Sequence, residues 1–115
     1  MAADSRGGMA LSSAEDNIKE AIRIILGTAP GERDMRPDFG CGVWGILFDA
    51  VDASFEGRVA FLVESALRAW EPRIEVEKVE TDAGETQVVV NIEYRVRATN
   101  RVDNLVFPFY RTVTA

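Results

Sequence analysis

The hydrophobic pattern of this chain changes period at Pro72, and that change limits the fold more than any other feature. Upstream, Phe55, Val59, Leu62, Val63, Ala66, Leu67 and Trp70 form a wide apolar stripe at helical spacing. Ser54 stands where a side-chain cap would start that helix. Pro72 ends it, because proline disfavours helical geometry in the residue before it. Downstream the period is two. Ile74 and Val76 alternate with Glu75 and Glu77, and Asp82-Ala83-Gly84 reads as a hairpin turn. Val88 to Ala98 is the strongest strand: Val88, Val90, Ile92, Tyr94, Val96 and Ala98 share one face, and Gln87, Val89, Asn91, Glu93, Arg95 and Arg97 the other. Thr99 to Asn104 is expected to turn the chain. Leu105, Phe107 and Phe109 then alternate with Val106, Pro108 and Tyr110, and Pro108, lacking a donor, puts this strand at an edge or a bulge. Helices followed by an antiparallel meander of about three strands predict an α+β fold.

A shorter helix is expected ahead of this. Residues 1–11 are small, polar and glycine-containing, as in a flexible tail or a segment ordered only by a partner. Ser12-Ser13-Ala14-Glu15 has the form of a capping box, and Asp16 adds charge that a helix dipole favours in the first turn. Ile18, Ile22, Ile25 and Leu26 supply one apolar face, and Gly27 is a natural stop. A loop rich in breakers follows, with Pro30, Gly31, Pro37, Gly40 and Gly42 among Glu32, Arg33, Asp34, Arg36 and Asp38. Val43 to Phe48 is apolar and short, expected as one or two helical turns that pack Trp44, Leu47 and Phe48 onto the core. At 115 residues the chain has material for a single core, so residues 12–115 are expected to form one domain.

Composition removes several function classes. The formal net charge is -6, the opposite of the basic stripe that neutralises phosphates, so no nucleic-acid partner is expected. No apolar run reaches the ~20 residues that span a bilayer, and residues 1–13 do not resemble a secretory signal. With no histidine and one cysteine, a disulfide, a thiolate zinc site or a histidine-based triad cannot form within the chain, and no cofactor is expected. The charge is uneven: residues 1–85 sum to -8 and residues 86–115 to +2, with Arg95, Arg97, Arg101 and Arg111 in the latter. Either small counts fluctuate, or the last strands present a mildly positive face to an acidic partner.

Candidate chemistry is sparse. Carboxylates are plentiful (Asp49, Asp52, Glu64, Glu71, Glu75, Glu77), but a glycosidase needs a flanking pair with one raised pKa, and Glu75 and Glu77 lie on the wet face of a strand. Cys41, between two glycines, has no histidine to activate it and reads as a partly buried thiol. Glu71-Pro72-Arg73 is either a helix stop flanked by solvated charges or a rigid charged corner whose Arg73 fork grips a partner's carboxylate or carbonyl.

Four segments in order resemble a known family. They are Ile24-Ile25-Leu26-Gly27-Thr28 with Pro30-Gly31-Glu32-Arg33, then Arg36-Pro37-Asp38-Phe39-Gly40, then Trp70-Glu71-Pro72-Arg73-Ile74, then Thr99-Asn100 with Asn104 to Tyr110. Together, over about residues 18–110, they resemble the small baseplate wedge protein of contractile phage tails, type VI secretion baseplates and extracellular injection particles. Relatives carry more sequence before the first helix. The family's label "lysozyme-like" is not read as an activity. The resemblance implies a role without catalysis. About six copies would ring the tube of a particle assembled in the cytoplasm, each linking the helical core bundle of a wedge to the first sheath disc, with the tube or spike hub as a further neighbour.

The resemblance also implies site residues. Glu71, Pro72 and Arg73 would contact the wedge core. Gly31, Glu32, Arg33, Pro37, Phe39 and Gly40 would form a structural loop. A sheath arm would add as a strand to an edge, with Asn104, Leu105, Val106, Phe107, Pro108, Phe109 and Tyr110 as the candidate receiving strand. An open strand edge argues for such addition on physical grounds as well. The alternatives are a peptidoglycan glycosidase and a generic adaptor that binds an extended peptide at its sheet edge.

Overall fold

The computed structural model describes residues 7–31 and 38–111, and the side chains of the first helix from residue 15 onward. Helix α1 runs Gly7–Gly27, a 3-10 turn spans Gly42–Gly45, and helix α2 runs Phe55–Trp70. Strands β1 (Ile74–Ala83), β2 (Gln87–Val96) and β3 (Arg101–Tyr110) form one antiparallel sheet in the order β1-β2-β3. Both helices cover one face, α2 against β1 and α1 against β3. The expected α+β fold is the observed one.

The apolar stripes meet in a single core. Ile18, Ile22, Ile25 and Leu26 of α1 join Phe55, Val59, Val63 and Leu67 of α2. Val88, Val90, Ile92, Tyr94 and Val96 rise from β2, and Leu105 and Phe109 from β3. Each such side chain contributes roughly 1.5–3 kcal/mol on leaving water. Alternation along β2 is nearly perfect because it is the central strand with one covered face.

Several local expectations are corrected. Helix α1 begins at Gly7, so Ser12 and Ser13 lie within it and not at its start; of the tail expected over 1–11, residues 1–6 lie outside the described residues. Ser54 precedes α2 but makes no capping bond. Its N–H and hydroxyl both donate to Asp52 Oδ1, at 3.0 and 2.8 Å, and Phe55 N–H donates to Asp52 O. The Ser54 hydroxyl bonds pull the Asp52 pKa down, with further help from Arg58. Phe48 is 60% exposed, because the turn after the 3-10 segment gives the core position to Leu47 alone. Trp44 is anchored as expected, its indole N–H donating to Leu26 O at 2.8 Å and its ring edge-on to Phe109.

Strand β2 ends at Val96, not Ala98, and β3 starts at Arg101. The chain turns in four residues because Asn100 takes φ 60°, a left-handed conformation its short polar side chain tolerates. Between Val76 and Lys78 a bulge shifts the register. It moves the inward positions from Ile74 and Val76 to Val79, Thr81 and Ala83, which a strict period of two does not anticipate.

Of the loop residues singled out, Glu32, Arg33 and Pro37 lie outside the described residues. Gly31 is exposed, and Phe39 stands edge-on to Trp70. Gly40 has φ 126°, and a Cβ there would come 2.4 Å from Thr28 O. That close approach carries the Cys41 N–H to Thr28 O at 2.9 Å and seats the Cys41 thiol in the core. Burial pushes the thiol up to about 11, in keeping with an inert cysteine.

Candidate interaction site

The junction between α2 and β1 is the most organised polar site on the described surface. Glu71 stands at φ -129°, ψ 81°, outside the helical region that a following proline disfavours, and its N–H still donates to Leu67 O at 2.8 Å. The chain reverses at once, and the Glu71 side chain is folded inward to 2% exposure. A buried carboxylate must be paired. Arg73, two residues on, supplies the pair with Nε to Oε2 at 2.8 Å and Nη2 to Oε1 at 2.9 Å, and its backbone N–H adds a contact to Oε2 at 3.2 Å. Donating to the Glu71 carboxylate raises the Arg73 pKa further.

The fork that the sequence offered to a partner is thus engaged within the motif. Glu71 and Arg73 lock Pro72 between them and leave Nη1 of Arg73 without a bond among the described residues. Arg97 ties the corner to the sheet, its Nε donating to Pro72 O at 3.0 Å and its N–H to Arg73 O at 2.9 Å. Two concavities flank the proline. One, of about 400 Å³, lies against Arg68, Ile74, Glu75 and Val76. The other, of about 500 Å³, is walled by Ile18, Val96, Ala98 and Thr99 with Arg73 at its side. The corner is therefore held rigid, with a hollow on each side. Among the described residues the carboxyl groups with displaced titration, Asp52 and Asp103, are both displaced downward, opposite to what a general acid requires. For Asp103, partial burial pushes upward but is outweighed by the Asn104 N–H and the Lys19 and Arg101 cations.

The other expected site, Asn104 to Tyr110, does lie on an outer strand. Leu105 and Phe109 are buried and Phe107 half-buried, while Val106 and Tyr110 are exposed. Asn104 is already occupied: its N–H meets the Asp103 carboxylate at 2.8 Å and its carbonyl accepts from Lys19 Nζ at 3.2 Å. The excess of arginine in the last third is likewise consumed internally. Arg95 pairs with Glu77, Arg101 with Glu15, and Arg97 with Pro72 O.

Arg111, which the sequence marks only as one of four basic residues in the last third, has a specific structural task. Its side chain donates to Leu47 O at 2.8 Å, Gly84 O at 3.1 Å and Asp49 O at 2.9 Å, with its guanidinium carbon 5.7 Å from the Phe55 ring centre. No local pattern could announce it, since its acceptors are backbone carbonyls far away in the chain. Phe61 was passed over: it is 68% exposed and lines a hollow with Ile46 and Leu62.

The fold is a small α+β body with a self-locked corner where α2 meets β1. The family described as baseplate wedge protein gp25 matches residues 12–101, and the chain belongs to that family, the baseplate wedge proteins of contractile tails. No curated protein matches it. Among solved structures it is similar to a Geobacter sulfurreducens protein bearing the provisional name tail lysozyme, at 46% identity and a TM-score of 0.83, over 100% of this chain and 99% of that one. It is also similar to a chain of the postcontracted pyocin R2 baseplate, at 26% identity and a TM-score of 0.56, over 84% of this chain and 85% of that one. The role that follows is that of a structural baseplate component.

Proposed function

We propose that this protein joins the wedge core of a contractile baseplate to the sheath and starts sheath assembly by accepting a strand from the first sheath subunits. The observation that carries the reading is the self-locked Glu71-Pro72-Arg73 corner between two hollows, in a chain of the baseplate wedge family. A corner fixed by its own ion pair presents its hollows without ordering cost at the moment of docking. The wedge core seats there, and the sheet margins, which among the described residues keep unbonded backbone groups on both outer strands, are left for the sheath. Each backbone bond to an added strand nets only ~0.5–1.5 kcal/mol, so firmness comes from several copies engaging at once. Assembly in the cytoplasm, about six copies in a ring, and the tube or spike hub as a neighbour belong to the same reading.

The test separates the two contacts. Ala98→Trp fills one hollow while leaving both Glu71 and Arg73 in the sequence to form their ion pair. It is expected to reduce incorporation into baseplates while the free protein stays folded by circular dichroism. Baseplates assembled without the chain are expected to gain no sheath. Normal sheath growth in its absence would overturn the reading, as would cell-wall clearing by the pure protein that is lost in Glu71→Gln.

A further inference from the structure

We propose that the β1 margin of the sheet, rather than the β3 margin, receives the partner's strand, and that this strand is basic. The inference rests on the reading above that a partner adds a strand to this sheet, and it names the edge and the chemistry.

The phase of the hydrogen bonds decides which backbone groups are free. Arg97 N–H donates to Arg73 O at 2.9 Å, so at the start of β1 the bonds into β2 fall at residues 73 and 75, and the N–H and C=O of Ile74 and Val76 point outward. Beyond the bulge, Gly84 N–H donates to Gln87 O at 2.8 Å. That turns Lys78, Glu80 and Asp82 toward β2 and turns Val79, Thr81 and Ala83 outward. Ala83 agrees with this phase: its N–H is met from outside the sheet by the Glu56 carboxylate at 3.1 Å. The outward groups of Ile74, Val76, Val79 and Thr81 have no hydrogen bond among the described residues. On β3, Arg111 N–H donates to Thr86 O at 2.7 Å, which turns Val102, Asn104, Val106, Pro108 and Tyr110 outward. There the row is interrupted twice, at Asn104, already bonded to Lys19 and Asp103, and at Pro108, which has no N–H. Four donors in two adjacent pairs on β1 stand against three separated donors on β3.

Charge selects the occupant. Glu75, Glu77, Glu80 and Asp82 leave β1 with four acids against Lys78, while α2 is balanced, with Glu56 and Glu64 against Arg58 and Arg68. Lys78 is taken by Glu80, Arg95 by Glu77 and Arg68 by Glu64, while Glu75 and Asp82 have no ion pair among the described residues. Such a margin repels a second copy of itself, as edge strands must, yet favours an extended segment carrying lysine or arginine at alternate positions.

The test titrates the full chain with a ten-residue peptide of alternating lysine and valine, and with its glutamate-for-lysine counterpart, followed by amide NMR. Shift changes and new exchange protection are expected at Ile74, Val76, Val79 and Thr81 with the lysine peptide alone. Val79→Pro removes one outward donor outside the β1–β2 ladder and is expected to weaken binding about tenfold. Val106→Pro should leave it unchanged. The charge reversal Glu75→Lys with Asp82→Lys keeps every backbone group and should exchange the preference between the two peptides. Changes centred on Val106 and Tyr110, or equal binding of both peptides, overturn the proposal. In assembled baseplates, sheath gain that survives the charge reversal but fails in Val106→Pro overturns the edge assignment and leaves the parent reading standing. Sheath gain with the chain absent sinks the parent reading, whatever the peptides do.

Discussion

The two ends of the sheet are fastened by different means. At the end where β1 begins, three consecutive residues do the work: Glu71 and Arg73 clasp each other around Pro72. At the end where β1 meets its hairpin, a single side chain from the far end of β3, Arg111, reaches carbonyls at Leu47, Asp49 and Gly84. The first fastening buries a charge and must be complete to be tolerated. The second places a cation against acceptors near the surface, where water can replace part of what is lost. Energetic risk is therefore concentrated at the Glu71 end, although Arg111 makes bonds over a far longer stretch of chain.

The largest effect expected from this asymmetry is at Arg73. Arg73→Ala strands the Glu71 carboxylate in the interior and should cost about 2–4 kcal/mol, discounted from a fully buried pair because Arg73 is half exposed. In urea unfolding the double variant Glu71→Gln with Arg73→Gln should recover part of that loss. A double variant no better than the single would mean the corner is held by packing instead. Arg111→Ala is expected to cost less, about 1–2 kcal/mol, since its carbonyls can turn to water. Arg111→Lys should recover under half, because one ammonium cannot serve three carbonyls. A loss at Arg111 exceeding that at Arg73 would reverse the ranking of the two ends.

Between the two ends the core supplies a pH signature. Burial pushes Tyr94 up to about 12 and Cys41 up to about 11, each above its ordinary value near 10 and 9. Both groups favour the folded state while protonated, so their contribution is whole below about pH 9 and is lost as pH rises through about 12. Denaturant midpoints should be flat from pH 7 to 9 and fall above it, and Cys41→Ala should soften the first part of the fall. The smallest effect is expected in the turn beside the corner. Asn100→Ala places a Cβ at φ 60° without the side-chain bond to Arg95 and should cost about 1 kcal/mol. Asn100→Gly should cost less, having no strain to bear.

Much of this architecture is legible from local pattern. The stripe from Phe55 to Trp70, the halt before Pro72 and the alternation of β2 each reflect interactions within a few residues, and each lies where its pattern puts it. The misplacements share a cause. Ser12 looked like a cap because its neighbours fit one, but α1 continues upstream to Gly7. Phe48 looked like core because it is apolar, but Leu47 fills that place. The β1 bulge and the four-residue turn at Asn100 are adjustments of register between strands, and no single strand encodes them.

The candidate site divides in the same way. The order Glu71-Pro72-Arg73 alone offers two readings, a helix stop with solvated charges or a rigid charged corner. That Arg73 closes on Glu71 instead of projecting outward follows from how deeply Glu71 is drawn into the interior. Short-range sterics and hydrophobic period act on neighbours, so the two helices, the central strand and the place of the corner are written in local pattern. The carbonyls that Arg111 holds, the backbone groups left at each margin and the gathering of acids depend on distances between residues that the chain keeps far apart, so they arise on folding.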